Sequence, residues 1–184
     1  MELSRDGRGW RVGTSAEVAW IGGRPLGITI ATALPLVFDA YATFHAAEDV
    51  PGPAHEAAVV SGLVRHTADQ GWWLGFLDTG AHDVVFPEAP RVGAYFGWRY
   101  VLVLAGPEQA LTWRTGHMRD GDGALPDLFF PEDRSWLVTA LWDDTWTCIG
   151  GPDAVVDALV ADPSANARRV RPDEDALPPG LERD

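Results

Sequence analysis

The sequence predicts an α+β fold in which two or three helices pack on a mainly antiparallel sheet. Short runs rich in apolar and β-branched residues, bounded by Gly, Pro and Asp, recur along the chain and are typical of strands. Two of these runs flank Asp143-Asp144 in the manner of a hairpin, which joins antiparallel strands. Only three stretches show the spacing or the opening residues that are typical of helices.

The length of 184 residues suits one domain with short extensions. Residues 1–13 are polar and contain Gly and Arg, which predicts a flexible N-terminus. A single α+β domain is predicted over residues 14–171. Residues 172–184 are acidic, contain Pro and hold too few apolar side chains to offset the entropy lost on ordering. They are therefore expected to form a disordered acidic tail.

The first third of the chain predicts three strands. Residues 16–21 form a short apolar run, and residues 27–33 are rich in β-branched side chains. In residues 36–44 the even-numbered positions from Phe38 to Phe44 are apolar and share one face, because side chains alternate along a strand.

The middle of the chain predicts one helix followed by two strands. Apolar side chains recur at helical spacing within residues 54–68, and Gly71 follows as a stop. Residues 72–77 are apolar at every position, which indicates a strand buried on both faces. Residues 83–86 predict a short strand that Pro87 ends.

The remaining elements alternate between strands and short helices. Residues 100–105 predict a strand, and Gly106-Pro107-Glu108 then opens a helix, with Pro at its first position. A hairpin is predicted over 135–142 and 145–149, and a helix begins at 151–153. Residues 168–171 predict an edge strand.

The charge of the chain excludes several classes of partner. There are 27 acidic residues against 14 basic ones, all of them Arg, and the net charge is -13. Such a chain repels nucleic acid, whose binding requires neutralised phosphates, and it repels anionic membranes. The longest apolar stretch, of about fourteen residues, is too short to span a bilayer. We therefore expect a cytoplasmic protein with a basic protein or a cationic ligand as its partner.

The sequence predicts no metal site and no cofactor. A single cysteine, Cys148, rules out a disulfide within the chain and a Cys-rich metal site. His55 and His66 share a helix face but are three turns apart, which is too far to chelate one ion.

An acidic, Trp-bearing surface is predicted at the hairpin. Trp142 and Trp146 bracket Asp143 and Asp144, and a cation is attracted both to carboxylates and to an indole face. These four residues are the predicted partner-binding site. They favour a non-catalytic intracellular binding protein, and core packing is the alternative role for the two indoles.

A second candidate site is the segment Phe76-Leu77-Asp78-Thr79-Gly80-Ala81. It resembles the active-site segment of retropepsin-type aspartic peptidases. That resemblance implies an aspartic peptidase-like hydrolase that acts as a homodimer, with Asp78, Thr79 and Gly80 as its catalytic residues. The alternative is structural, because an Asp at a strand end also caps a turn. A helix before Asp78 argues against the peptidase fold.

A wider resemblance covers most of the chain but implies no activity. The blocks at 38–43, 72–80 and 131–151 resemble a group of uncharacterised proteins from GC-rich bacteria. The small, acidic and Trp-rich composition also resembles that of bacterial immunity proteins, which cap basic toxin surfaces. This likeness of composition suggests an immunity-like role.

Overall fold

The computed structural model describes residues 1–24, 27–79, 85–114, 125–141 and 145–181. Ten strands form one sheet in which every described pairing is antiparallel. The strands are β1 (Glu2–Arg5), β2 (Arg8–Val12), β3 (Ala40–Phe44), β4 (Trp72–Leu77), β5 (Val92–Ala94), β6 (Trp98–Ala105), β7 (Leu128–Pro131), β8 (Leu137–Ala140), β9 (Thr147–Gly151) and β10 (Ala167–Arg169). Their order across the sheet is β1-β2-β6-β4-β7-β8-β9-β3-β10, and β5 pairs with β6 outside this path.

The described residues also contain five α-helices and one 3-10 turn, Ala19–Ile21. The helices are α1 (Ser15–Val18), α2 (Ile30–Ala33), α3 (Gly52–Arg65), α4 (Pro107–Thr112) and α5 (Asp153–Val160). The α+β class with a mainly antiparallel sheet is therefore confirmed, whereas the prediction of two or three helices was too low. The two additional helices, α1 and α2, are each four residues long and leave almost no periodicity in the sequence.

Two cores lie on opposite faces of the sheet. On the face that we call the first face, α3, α4 and α5 contribute buried residues such as Val59, Ala110 and Val156. On the second face, the segment from α1 to α2 contributes Ile21 and Ile30. Because both faces are covered, β4 is apolar at every position, as the sequence predicted.

Several predicted elements are confirmed with small shifts in their bounds. The strands β3, β4, β6, β8 and β9 fall on predicted runs, and α3, α4 and α5 fall on the three predicted helices. β10 lies at one end of the strand order, as the predicted edge strand should. In the predicted strand at 83–86, residues 83–84 lie outside the described part of the chain, and Val85 and Phe86 form a bend.

Two predicted strands are helical in the structure. Residues 16–21 contain α1 and the 3-10 turn, because Thr14 and Glu17 close a capping box at the start of α1. Residues 27–33 contain α2, although β-branched residues favour strands. The helix buries Ile30 and Ala33 in the second-face core, and this tertiary packing outweighs the local preference.

The structure places the two chain ends differently from the sequence-based expectation. The segment expected to be a flexible N-terminus forms the hairpin β1–β2, which buries Trp10 and Val12. The segment expected to be a disordered tail is described as far as Leu181, and it buries Leu177 and, in the second-face core, Ala176. In both segments a few apolar side chains reach a core, which offsets the cost of ordering polar neighbours.

Candidate functional site

The two candidate segments lie at one end of the sheet. β4 ends at Leu77 and β8 ends at Ala140, while β7 begins at Leu128 and β9 begins at Thr147 beside Phe44 of β3. We call this the loop-bearing end. The segment after β4 and the segment before β9 are separated there by three strand spacings, or about 14 Å.

The structure describes only part of the predicted site residues. Asp78, Thr79 and Trp146 are described, whereas Gly80, Trp142, Asp143 and Asp144 lie outside the described residues. Ala140 at the end of β8 pairs with Thr147 at the start of β9 at the loop-bearing end, and Trp146 directly precedes Thr147.

Asp78 directly follows β4 and has a basic partner. Its backbone N–H donates to the Arg99 carbonyl oxygen at 2.7 Å, which extends the β4–β6 pairing by one residue. Its carboxylate Oδ2 accepts a hydrogen bond from Arg91 Nε at 2.7 Å. The Arg91 side chain is only 14% exposed and also donates to the Ala89 carbonyl oxygen. A guanidinium at this distance stabilises the negative charge of the Asp78 carboxylate.

A second carboxylate at this end, Asp127, was not predicted. It precedes β7, and its Oδ2 accepts from the Leu77 backbone N–H at 2.7 Å and from Arg114 Nη2 at 2.8 Å. Burial raises the pKa of the Asp127 carboxyl, and the charge of Arg114 opposes this effect. The Asp127 side chain thus takes the place of a strand partner where the β4–β7 ladder ends. No sequence motif marks it, because Arg114 and Asp127 are 13 residues apart and this spacing is typical of no known kind of site.

Acidic side chains without a basic partner also lie at the loop-bearing end. Glu48 and Asp49 follow β3, and Glu88 lies between β4 and β5. All three are exposed, and in the described part of the chain none has a basic group within ion-pair distance. They add three negative charges to this end, where the described residues also include one exposed basic side chain, Arg99 near the start of β6, and the net charge of the whole chain is -13.

Aromatic rings border the same end on the second face. Trp146 is partly buried and packs against the second-face core, so it has the packing role considered as its alternative. Trp98, at the start of β6, is also partly exposed, and its ring centroid lies 5.1 Å from that of Phe96, which is 38% exposed. Neither Phe96 nor Trp98 was predicted as a site residue, although the Gly97 between them is a signal for a turn.

The remaining observations limit the kinds of site that this chain offers. Among the described residues there is no group of three or more His, Cys, Asp or Glu side chains that could hold a metal ion. No helix in the described part of the chain is both long and apolar enough to cross a membrane. Comparisons with protein-family models, with curated proteins and with solved structures gave no match.

Proposed function

We propose that this chain is a non-catalytic, immunity-like binding protein whose loop-bearing end binds a basic surface on another protein. The observation that carries the proposal is the strand register. It brings the segment after Leu77 and the segment before Thr147 to the same end of the sheet, where Glu48, Asp49 and Glu88 add negative charge. The proposed surface thus combines carboxylates with aromatic rings.

Electrostatics favour a basic protein as the partner. A surface with uncompensated carboxylates attracts positive charge over about a Debye length, which is near 8 Å at physiological ionic strength. Complementary charge accelerates association and selects the partner more than it raises the final affinity. Partly exposed aromatic rings such as Trp98 supply contact area beside the charges.

The alternative, an Asp-Thr-Gly hydrolase, gains no support from the surroundings of Asp78. A catalytic pair of carboxylates shares one proton across a homodimer, and it requires each carboxylate to face its counterpart. The Asp78 carboxylate instead faces Arg91. The hydrolase therefore stays a hypothesis that a peptide-cleavage assay with the Asp78→Asn variant can test.

The main test reverses charge at the loop-bearing end. The double variant Asp143→Arg/Asp144→Arg is compared with Asp39→Arg/Asp69→Arg, which changes net charge equally at the opposite end. Asp39 and Asp69 are both exposed, and they precede β3 and β4, respectively. We expect Arg- and Lys-rich peptides in an array to bind Asp143→Arg/Asp144→Arg about tenfold more weakly than they bind the wild type. Their affinity for the control variant is expected to stay within about twofold of the wild-type affinity.

Salt dependence provides the second part of this test. Binding by the wild type is expected to weaken as sodium chloride rises from about 20 mM to about 300 mM, because screening shortens the range of attraction. Equal loss of binding in both double variants would show that net charge alone acts. Salt-independent binding, or full binding by Asp143→Arg/Asp144→Arg, would remove the loop-bearing end from the proposed function.

A further inference from the structure

A tight turn follows the edge strand β10. It comprises residues 171–174, in which the Glu174 N–H donates to the Arg171 carbonyl oxygen at 3.1 Å. Pro172 occupies the second position of this turn, where its fixed φ is favourable. The turn connects β10 to residues 175–181, which we call the C-terminal strap.

Backbone groups of the C-terminal strap bond to two other segments of the chain. The Ala176 N–H donates to the Ile28 carbonyl oxygen at 2.6 Å. Arg168 of β10 donates from Nη2 to the Asp175 carbonyl oxygen and from Nε to the Leu177 carbonyl oxygen, both at 2.7 Å. The side chains of Ala176 and Leu177 are buried, at 3% and 7% exposure. The same strap from a second copy of the chain carries all of these groups, so it can make the same contacts.

The turn before the strap is not packed onto the sheet. An open cavity of about 340 Å³ lies between them, lined by Asp39 on the side of β3 and by Pro172 and Glu174 on the side of the turn. Arg171 forms ion pairs with Asp173 and Glu174 across the turn, at 3.4 and 3.1 Å. Its side chain is 72% exposed, and exposed ion pairs contribute little to stability. The turn can therefore open without loss of core contacts.

We propose that the C-terminal strap exchanges between two copies of this chain, which gives a strap-swapped dimer at high protein concentration. Each strap then makes on the other copy the contacts that it makes on its own chain in the monomer, and only the turn changes conformation. Because the strap contacts are the same in both forms, they cancel in the equilibrium. The dissociation constant of the dimer is then set by the effective concentration of the tethered strap, which is in the millimolar range for a short tether.

Net charge opposes the dimer and makes it dependent on salt. Each copy carries a net charge of -13, so two copies repel each other. Salt screens this repulsion, and the dimer fraction is therefore expected to rise with ionic strength. Binding of a basic partner is expected to weaken with salt, so the two effects are distinguishable. The strap-swapped dimer requires no other protein and does not rest on the proposed function.

The test measures the mass of the protein by size-exclusion chromatography with light scattering. The wild type is held at about 1 mM and about 10 °C below its Tm, then cooled and measured at two salt concentrations. A variant that lacks Pro172 and Asp173 has no central turn residues, so its strap is too short to return to its own chain. The matched control lacks two residues beyond the strap, Arg183 and Asp184.

We expect a wild-type dimer fraction of about a third at 1 mM, a larger fraction at about 300 mM sodium chloride than at about 20 mM, and monomer at about 20 µM. The turn-deletion variant is expected to be a dimer at about 20 µM, with a Tm within about 3 °C of the wild type, whereas the control stays monomeric. In dimers of ¹⁵N-labelled and unlabelled chains, an isotope-filtered NOE should connect the Ala176 amide of one copy with Thr29 of the other, because Asp175 bridges to Thr29.

Three results would overturn the proposal. The first is a wild type that stays monomeric at 1 mM at both salt concentrations, a result that does not depend on whether the turn-deletion variant folds. The second is a turn-deletion variant that is monomeric with a lowered Tm, which would show a strap released but not exchanged. The third is a dimer in which the NOE between Ala176 and Thr29 arises within one chain, which would place the interface elsewhere.

Discussion

At the scale of single residues, ion pairs that bridge loops stabilise the loop-bearing end. Asp78 pairs with Arg91, and Asp127 pairs with Arg114 through two hydrogen bonds of 3.3 and 2.8 Å. In each pair the guanidinium is more buried than the carboxylate, at 14% against 26% and at 6% against 21% exposure. Loss of either carboxylate therefore removes an anionic partner from a largely buried guanidinium, which costs more than loss of an exposed ion pair.

The Asp78→Asn variant is expected to lose about 1–2 kcal/mol of unfolding free energy, because Arg91 then lacks its anionic acceptor. Denaturant unfolding measures this loss. Arg91→Gln serves as the matched variant, and the double variant completes a cycle in which the two single losses are not additive. Additive losses would show that the Asp78–Arg91 contact contributes no free energy. An unchanged stability with lost peptide cleavage would instead support the hydrolase hypothesis.

The sequence located some of these residues but not their partners. Asp78 was recognisable because a fully apolar strand ends just before it, and the described structure places it there. Arg91 lies 13 residues further along the chain, and Asp127 bonds to Leu77 across 50 residues. Such contacts depend on how loops return to the sheet, and neither periodicity nor turn chemistry encodes that path.

At the scale of elements, α1 shows how one cap decides between a strand and a helix. Thr14 N–H and Thr14 Oγ1 both donate to Glu17 Oε2 at 2.7 Å, and Ala16 N–H donates to Thr14 Oγ1 at 3.3 Å. Partial burial works in the opposite direction, but these hydrogen bonds lower the pKa of the Glu17 carboxyl. The ionised carboxylate therefore contributes to the stability of α1.

The Glu17→Gln variant is expected to lose about 0.5–1 kcal/mol of unfolding free energy near pH 7. Because the folded pKa of Glu17 is lowered, its contribution is present above the unfolded value of about 4.3 and disappears as pH falls through the folded pKa. The stability difference between the wild type and the variant should therefore be smaller at acidic pH than at pH 7. Glu48→Gln, which alters an exposed carboxylate, is the control and should show no such dependence on pH. A constant difference at both pH values would contradict the capping role of the charge.

The length of an element determined whether the sequence could predict it. The helix α3 has 14 residues, and its apolar spacing is readable, whereas α1 and α2 have four each. β7 was missed because four residues ending in Pro131 carry little strand signal. The hairpin β1–β2 was missed because it is mostly polar. In these elements tertiary packing dominates over local preference.

At the scale of the whole molecule, the C-terminal segment covers part of the second face. The Ala176 N–H donates to the Ile28 carbonyl oxygen at 2.6 Å, and Arg168 donates to the Leu177 carbonyl oxygen at 2.7 Å. His45 Nε2 lies 3.3 Å from the Pro179 carbonyl oxygen. The acidic composition of this segment had predicted disorder. That prediction was wrong because composition alone does not show that Ala176 and Leu177 are buried in the fold.

Truncation after Arg171 is therefore expected to lower Tm by about 5–10 °C, since burial of Leu177 and Ala176 contributes about 2–3 kcal/mol. Truncation after Leu181, which removes only the last three residues, is the matched control and should leave Tm unchanged. A scan of Tm by calorimetry or circular dichroism measures both. If the longer truncation also leaves Tm unchanged, the segment is dispensable, as its composition had suggested.

The two ends of the strand order bear on how this protein behaves in concentrated solution. β1 has four residues, Glu-Leu-Ser-Arg, and β10 has three, Ala-Arg-Arg. Strand edges with unpaired backbone groups recruit other chains into fibrils, and short edges with charged side chains resist this recruitment. Arg169 Nη2 forms ion pairs with Asp153 Oδ1 at 2.7 Å and with Asp157 Oδ1 at 2.8 Å. These ion pairs fix the charged Arg169 side chain at the edge strand. The two outermost strands of this sheet thus carry the features that oppose edge-to-edge aggregation.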